Sequence, residues 1–250
     1  MDEILSNDEL REVASKIIDS ASTQLTDTSF VLTPFMEPFT LALAIGDARR
    51  KGLRWREVTP SKNFRFRTLQ LADEHNLLNW ETPDLKVLLF KAENVFEQPS
   101  RSDLLNAILM ADKSVFAGDT IKYDNGWAVC VANSGQEKLE LDGYTVELWK
   151  EDIDRLPSQT QTGNRKATAA SPRIDAVSAA ALKPSREKIK KHLEAGGVLL
   201  NYETETKSGR ELVPGDVVAV RDTGRFRVME FGDVTKKGRY VIEVEILNGG

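Results

Sequence analysis

Arg173, Asp175, Lys183, Ser185, Arg186 and Lys190 crowd one short stretch of the chain: several cations, one carboxylate, and no histidine or cysteine nucleophile among them. Such a set suits anion recognition rather than bond making. Guanidinium forks and helix N-termini are both good partners for phosphate oxygens. Lys183, Arg186 and Lys190 are spaced by three and four residues, which lines them along one side of a helical pair. Asn201 and Lys207 follow closely, and Arg221, Arg225, Lys236 and Lys237 extend the basic series toward the C-terminus. Together these ten residues, Arg173 included, are the candidate polyanion contacts.

The elements that must hold them can be read from the punctuation. Ser171 can cap a helix whose first position is Pro172, a residue that lacks only an N–H left unpaired there anyway. Ile174, Val177, Ser178, Ala181 and Leu182 then keep helical spacing on one apolar-to-small face. A second helix is predicted to start at Ser185, bury Ile189 and Leu193, and end at Gly196, where a left-handed residue suits the C-terminus. A short strand Val198-Leu199-Leu200-Asn201 follows, and Val213-Pro214-Gly215-Asp216 marks a turn.

This order of signals resembles the small αL RNA-binding motif named after the fourth small-subunit ribosomal protein. That family's pattern is an Arg-Leu-Asp opening, a Ser-Arg pair at the second helix, a Gly before a Val-x-Val-Asn strand, and a Gly-Asp turn. Its counterparts here are Arg173-Ile174-Asp175, Ser185-Arg186, Gly196 with 198–201, and Gly215-Asp216. The chain departs from the pattern at Glu194 and Gly197, where relatives often carry Lys, and at Tyr202, where Gly is common.

With 250 residues, 40% apolar and 29% charged, the chain has the composition of a soluble globular protein with room for two modest domains. Its apolar runs, such as 41–45, are far short of a membrane span. The acidic opening Met-Asp-Glu-Ile-Leu-Ser is not a signal or transit peptide, so a cytoplasmic location is expected, or an organellar stroma or matrix if a presequence has been removed. The single Cys130 lies in an apolar strand and excludes an intrachain disulfide. His75 and His192 have no metal-binding spacing, and no cofactor is expected. Although the net charge is −5, residues 172–240 carry fourteen Lys and Arg against ten Asp and Glu, while 1–171 carry twenty against twenty-seven. Local field governs phosphate binding more than total charge does.

Upstream, Ser6 to Glu9 opens an amphipathic helix as a capping box. Thr33-Pro34-Phe35-Met36-Glu37-Pro38 leads into a second helix that stops at Gly52. Strands are predicted at 53–58, 85–91 and 144–149, a helix at 100–110 with Ser100 and Asp103 as its cap pair, and a hairpin turn at Asp124-Asn125-Gly126. Residues 157–171 are small and polar and read as a flexible linker. Short strands are predicted at 217–221, 226–231 and 239–245. The expected class is α+β: an N-terminal helix (1–27), a mixed α/β domain expected to bind RNA (28–156), the linker (157–171), and an αL domain of two helices on a small sheet with a β extension (172–250).

The tail from Gly224 to Tyr240 further resembles the C-terminal extension of the two-part proteins of the YlmH family. Thr33-Pro34-Phe35-Met36-Glu37-Pro38 is similar to that family's Thr-x-Phe-Leu-x-Pro signature, 99–107 to its Ser-His-Arg-Asp-Phe-Leu-Gly-Ala segment, and Gly118-Asp119-Thr120-Ile121 to its Gly-Asp-Ile step. Near Trp55 the family's Gly-Gly-Tyr is replaced by Arg56-Glu57-Val58. The basic cluster Arg54, Arg56, Lys62, Arg65 and Arg67 there forms a second candidate RNA surface, or else the outward side of an exposed strand and loop.

Enzymes that carry the αL motif as an appendage have signals this chain lacks. The one Arg-x-Asp suited to a pseudouridine synthase lies inside the motif itself, and nucleotide-binding His-Ile-Gly-His, Lys-Met-Ser-Lys-Ser and Gly-x-Gly-x-x-Gly patterns do not occur. The expectation is therefore non-enzymatic binding of structured RNA, with no membrane partner and no small-molecule substrate. The resemblance implies ribosomal RNA and tRNA on the ribosome, with the large subunit favoured, in translation rescue or quality control. A permanent organellar ribosomal protein and a protein-interaction adaptor with a vestigial RNA fold are the alternatives.

Overall fold

The computed structural model describes residues 5–75, 80, 82–93, 100–111, 115–124, 126–132, 143–158 and 161–249. In chain order its elements are α1 (Asn7–Gln24), β1 (Val31–Leu32), α2 (Pro38–Arg50), β2 (Arg54–Val58), β3 (Thr68–Ala72), β4 (Leu85–Ala92), α3 (Arg101–Ala111), β5 (Phe116–Tyr123), β6 (Gly126–Ala132) and β7 (Tyr144–Leu148). They continue with β8 (Gln161–Ala169), α4 (Ile174–Leu182), α5 (Arg186–Glu194), β9 (Val198–Leu200), β10 (Glu203–Thr204), β11 (Val217–Val220), β12 (Gly224–Val234) and β13 (Tyr240–Gly249). The architecture is mixed α+β, with three sheets among the described residues.

Two compact units emerge, and both are discontinuous in sequence. One comprises Met1–Ile18, Pro38–Lys51 and Thr160–Gly250; the other comprises Asp19–Glu37 and Gly52–Gln159. The division falls inside α1.

The first unit is built on a six-stranded antiparallel sheet in the order β10-β9-β11-β12-β13-β8. Alternate residues of its strands (Val198, Leu200, Val218, Val220, Phe226, Val228, Ile242, Val244) form one core with Ile174, Val177 and Ala181 of α4 and Ile189 and Leu193 of α5. Because successive side chains point to opposite faces, Leu199, Val217 and Ala219 face the other way, yet they too are buried. On that side α2 packs against β11 and β12. Phe39, Leu41, Ala44, Ile45 and Ala48 of α2 are all buried, a helix apolar nearly all round and therefore suited to a covered position.

Two expectations are corrected here. The expected boundaries assigned α2 to a domain of residues 28–156 and set 1–27 apart, whereas α2 and the first part of α1 belong with the C-terminal unit. Residues 161–169 are not a linker but β8, an edge strand in register with β13 from Tyr240↔Ala169 to Ile246↔Gly163. Its inward positions are Arg165, Ala167 and Ala169. Such small or polar residues suffice at an edge, where α4 covers only part of the strand, and Arg165 donates a 2.6 Å bond to the Ala181 carbonyl near the end of α4.

In the second unit, the sheet β5-β6-β4-β7 carries α3 on one face through Leu104 and Ile108 against Leu88, Phe90, Val129 and Val131. Its other face buries Phe64, Val87, Ile121, Ala128, Cys130 and Leu156. Burial raises the Cys130 thiol well above its usual range, as expected of a small core hydrophobe. Local signals hold in both units. Ser6 and Glu9 exchange their capping-box bonds at the start of α1, and Ser100 and Asp103 do so at α3. Strands β5 and β6 pair from Tyr123↔Gly126, the expected hairpin; its Asn125, like Pro99 of the 99–107 segment, lies outside the described residues.

Arg225 tests how the sheet is covered. Its side chain is completely buried on β12 and donates a 2.8 Å bond to Asn248, itself buried on β13. Arg225→Ala is expected to lower the free energy of urea unfolding by about 3 kcal/mol, because it leaves buried polar groups without their cation.

Candidate nucleic-acid interface

The mouth of the α4–α5 pair is organised by Asp175, in the first turn of α4 and fully buried. Arg186 donates to its Oδ2 at 2.9 Å, and the Arg173 guanidinium lies 3.4 Å from Oδ1. Both arginine side chains keep about two fifths of their surface exposed, 38% for Arg173 and 42% for Arg186. A guanidinium has five N–H donors in a rigid fork, so one side can be held by the carboxylate while the other faces outward. The helix N-terminus adds to the hold on Asp175. What results is a pair of arginines oriented by one buried anion at the entrance to two helices.

Helix α4 begins differently from the expected Ser171 cap. Its N-cap is Arg173, without a side-chain cap bond, and the Ser171 hydroxyl is buried and accepts no cap bond from the helix. Instead 172–174 run beside 210–212: Ile174 N–H donates to the Arg210 carbonyl at 2.7 Å, and Leu212 N–H to that of Pro172 at 2.9 Å. Helix α5 starts as predicted, with the Ser185 hydroxyl accepting from Lys188 N–H at 3.2 Å. Lys183 caps α4 in the left-handed conformation (φ 72°), and Lys183 and Lys190 are exposed on the same pair of helices.

The Gly215-Asp216 turn joins this mouth to the β9–β10 hairpin. Asp216 accepts from the Asn201 amide at 2.8 Å and from Val213 N–H at 2.9 Å, and Asn201 Oδ1 accepts from Val217 N–H at 3.0 Å. Asn201 thus fixes the turn, and its carboxamide is committed to that role. The hairpin pairs Leu200 with Glu203, leaving Asn201 (φ 50°) and Tyr202 (φ 74°) as a two-residue loop with both φ positive. Asn-Gly is the usual sequence for such a turn. A tyrosine there costs about 1–2 kcal/mol of backbone strain relative to glycine. Helix α2 presses on the loop: a β-carbon at Gly46 would lie 2.8 Å from the Tyr202 carbonyl oxygen, and the Arg49 guanidinium sits 5.5 Å from the Tyr202 ring centroid.

The other candidates separate into available and committed groups. Lys207 is exposed beside the hairpin, and Lys236 and Lys237 are exposed at the β12–β13 turn. Arg221 is instead a strut: it donates to Asn7 Oδ1 at 2.7 Å and to the Leu5 carbonyl, and pairs with Asp222, with 14% of its side chain exposed. Arg225 is buried and does not reach the surface. Both were expected to contact RNA; alternation along β12 and the N-terminal segment turn them to structural use. In the second unit Arg54 and Arg56 both lie over the Trp80 ring, with their guanidinium carbons 5.0 and 5.3 Å from its centroid. Arg67 is turned inward, buried and 3.9 Å from Glu57; Arg65 is half-buried and Lys62 exposed. Nearby, Arg101 meets buried Asp119 at 3.2 Å, and Asp119 also accepts from Arg65 N–H at 2.9 Å, uniting the 99–107 and 118–121 segments. Composition missed Trp80 and Tyr202 as members of basic surfaces. Their signal was an aromatic residue where a loop favours small ones.

No group of three or more His, Cys, Asp or Glu able to hold a metal occurs among the described residues. His192 lies beside the Gly197 backbone, and burial, aided by Lys188 and Arg221 against Asp222, holds its imidazole below the usual value near 6.5. A base with a lowered folded pKa contributes stability above its unfolded pKa and loses it as pH falls through the folded one. The unfolding midpoint in urea is therefore expected to fall more between pH 7 and 5 in the wild type than in His192→Gln. Asp175→Asn is expected to cost about 1–3 kcal/mol at pH 7, since two guanidiniums lose their common anion.

No protein-family model matches the chain, and no curated protein matches it. Among solved structures it is similar to the cell division protein ylmH from Streptococcus pneumoniae, at 14% identity and a TM-score of 0.38, over 61% of this chain and 99% of that one.

Proposed function

We propose that the chain is a non-enzymatic binder of structured RNA that docks through the α4–α5 mouth. One observation carries this: a fully buried Asp175 holds two half-exposed arginines in fixed orientation beside exposed Lys183 and Lys190. A buried ion triad that served stability alone could be replaced as a whole by well-packed apolar residues at little cost, so the use of this one is to aim cations. Pre-aimed guanidiniums suit phosphate oxygens and 2′-hydroxyls on a shaped surface rather than base edges. Lys207 flanks the site from the hairpin side, and the Arg54–Trp80–Arg56 set offers a second weak contact, which on one large RNA raises the effective concentration of the first.

The resemblance to the YlmH family supports the ribosome as the particle, with the large subunit and tRNA favoured, in rescue or quality control of stalled translation. Sedimentation of lysate on sucrose gradients at low and raised salt tests this. Salt-sensitive co-migration with one subunit, abolished by Arg186→Glu with Lys190→Glu, is the expected result. With purified protein and ribosomal RNA, the same pair should lower the slope of log affinity against log salt by roughly one per phosphate contact removed. Salt-resistant co-migration would point to a built-in ribosomal component. Association unaffected by the double substitution would overturn docking through this mouth and favour a protein-interaction adaptor.

A further inference from the structure

The β9–β10 loop combines two features that the phosphate-binding mouth does not require. A two-residue loop with both φ positive is made at least strain by Asn-Gly, yet this chain places a large aromatic at φ 74°. Residues held in sparsely populated backbone regions persist where the surroundings over-determine them, and they cluster at sites of function. Here the surroundings are α2: Gly46 permits contact with the Tyr202 backbone, and the Arg49 side chain donates to the Asn201 carbonyl at 3.3 Å while its guanidinium lies over the Tyr202 ring. Arg49 is exposed and Tyr202 half-buried, and both line an open groove with Gly46, Arg50, Asn201 and Glu203. The loop is tied through Asn201 and Asp216 to the strand that runs beside Arg173.

We infer that Tyr202 and Arg49 form a stack which an unpaired nucleotide base next to a bound RNA stem extends. A base has a π-face whatever its identity, and proteins pair such faces with aromatic rings and with guanidinium planes alike. The Tyr202 ring supports the Arg49 plane, the exposed Arg49 meets the base, and the cation favours the adjoining phosphate. The stack makes the protein prefer a stem with a single-stranded extension over the same stem with a blunt end, without preference for base identity. This inference rests on docking of RNA at the α4–α5 mouth.

The test uses the full-length protein and two synthetic RNAs, one hairpin with a blunt end and the same hairpin with a short single-stranded overhang whose first base is fluorescent 2-aminopurine. The wild type is expected to bind the overhang form roughly tenfold more tightly and to quench its fluorescence. Tyr202→Asn keeps a residue that tolerates positive φ but removes the ring, and Arg49→Lys keeps the charge but removes the plane. Each is expected to abolish the tenfold preference and the quenching while leaving blunt-hairpin affinity within twofold. Tyr202→Phe should behave as wild type. Equal wild-type affinity for the two RNAs, or full preference retained by Tyr202→Asn, overturns the stack while leaving docking at the mouth intact. Loss of blunt-hairpin binding in Lys183→Glu with Lys190→Glu, two exposed lysines whose replacement leaves both Asp175 ion pairs in place, reports on the mouth alone, and failure of the wild type to bind either RNA overturns both.

Discussion

A carboxylate with no access to water, shared by two arginines, is the constraint around which the C-terminal unit is arranged. The burial of Asp175 is offset by Arg173 and Arg186, which both face it, because an isolated buried anion is far too costly. Arg173 belongs to the segment that runs beside 210–212, and Arg186 to the first turn of α5. One anion therefore joins the start of α4 to the start of α5, beside the backbone pairing of 172–174 with 210–212. The geometry of the mouth is set by that requirement rather than by the lysines around it, whose flexible stems adapt to whatever they meet.

A second constraint comes from the sheet, which is apolar on both faces over β9 and β11. Helices α4 and α5 cover one face. The other is served by α2, which is why a helix far away in sequence carries so few polar residues. This covering also decides the fate of individual cations. Arg225 and Arg227 share the strand face opposite Phe226 and Val228; at Arg225 that face is closed, while Arg227 stays partly open and pairs with Glu245 at 2.8 Å. Arg221 is drawn to the N-terminal segment in the same way.

Signals that act within a few residues were legible. Ser185 caps its helix, Gly196 turns left-handed after it (φ 69°), and the Ser6–Glu9 and Ser100–Asp103 pairs form their boxes, since each depends only on chain already in place. What depended on distant partners was not. Strand β8 has the right alternation, but its inward residues are two alanines and an arginine, which carry no hydrophobic signal until β13 lies alongside. Ser171 has the identity of a cap, yet 210–212 supply the N-terminal partners of α4 instead. The cations were legible as types but not by orientation: Arg173 and Arg186 are aimed by Asp175, Arg225 is buried by a helix some 180 positions earlier in the chain, and nothing in a list of arginines separates the two cases.

The discontinuity of the first unit bears on how the chain can fold. Residues 160–250 alone would leave Leu199, Val217 and Ala219 exposed on one side of the sheet, while α2 alone is an apolar helix with nothing to bury against. Each needs the other across a separation of more than 100 residues, and contacts of such high order close slowly because loop entropy is lost before they form. On the ribosome the intervening residues 52–159 emerge in full before the partner strands of α2 are made. Until β11 and β12 arrive, α2 must remain without its sheet, and its run of buried positions is the part of the nascent chain most in need of protection.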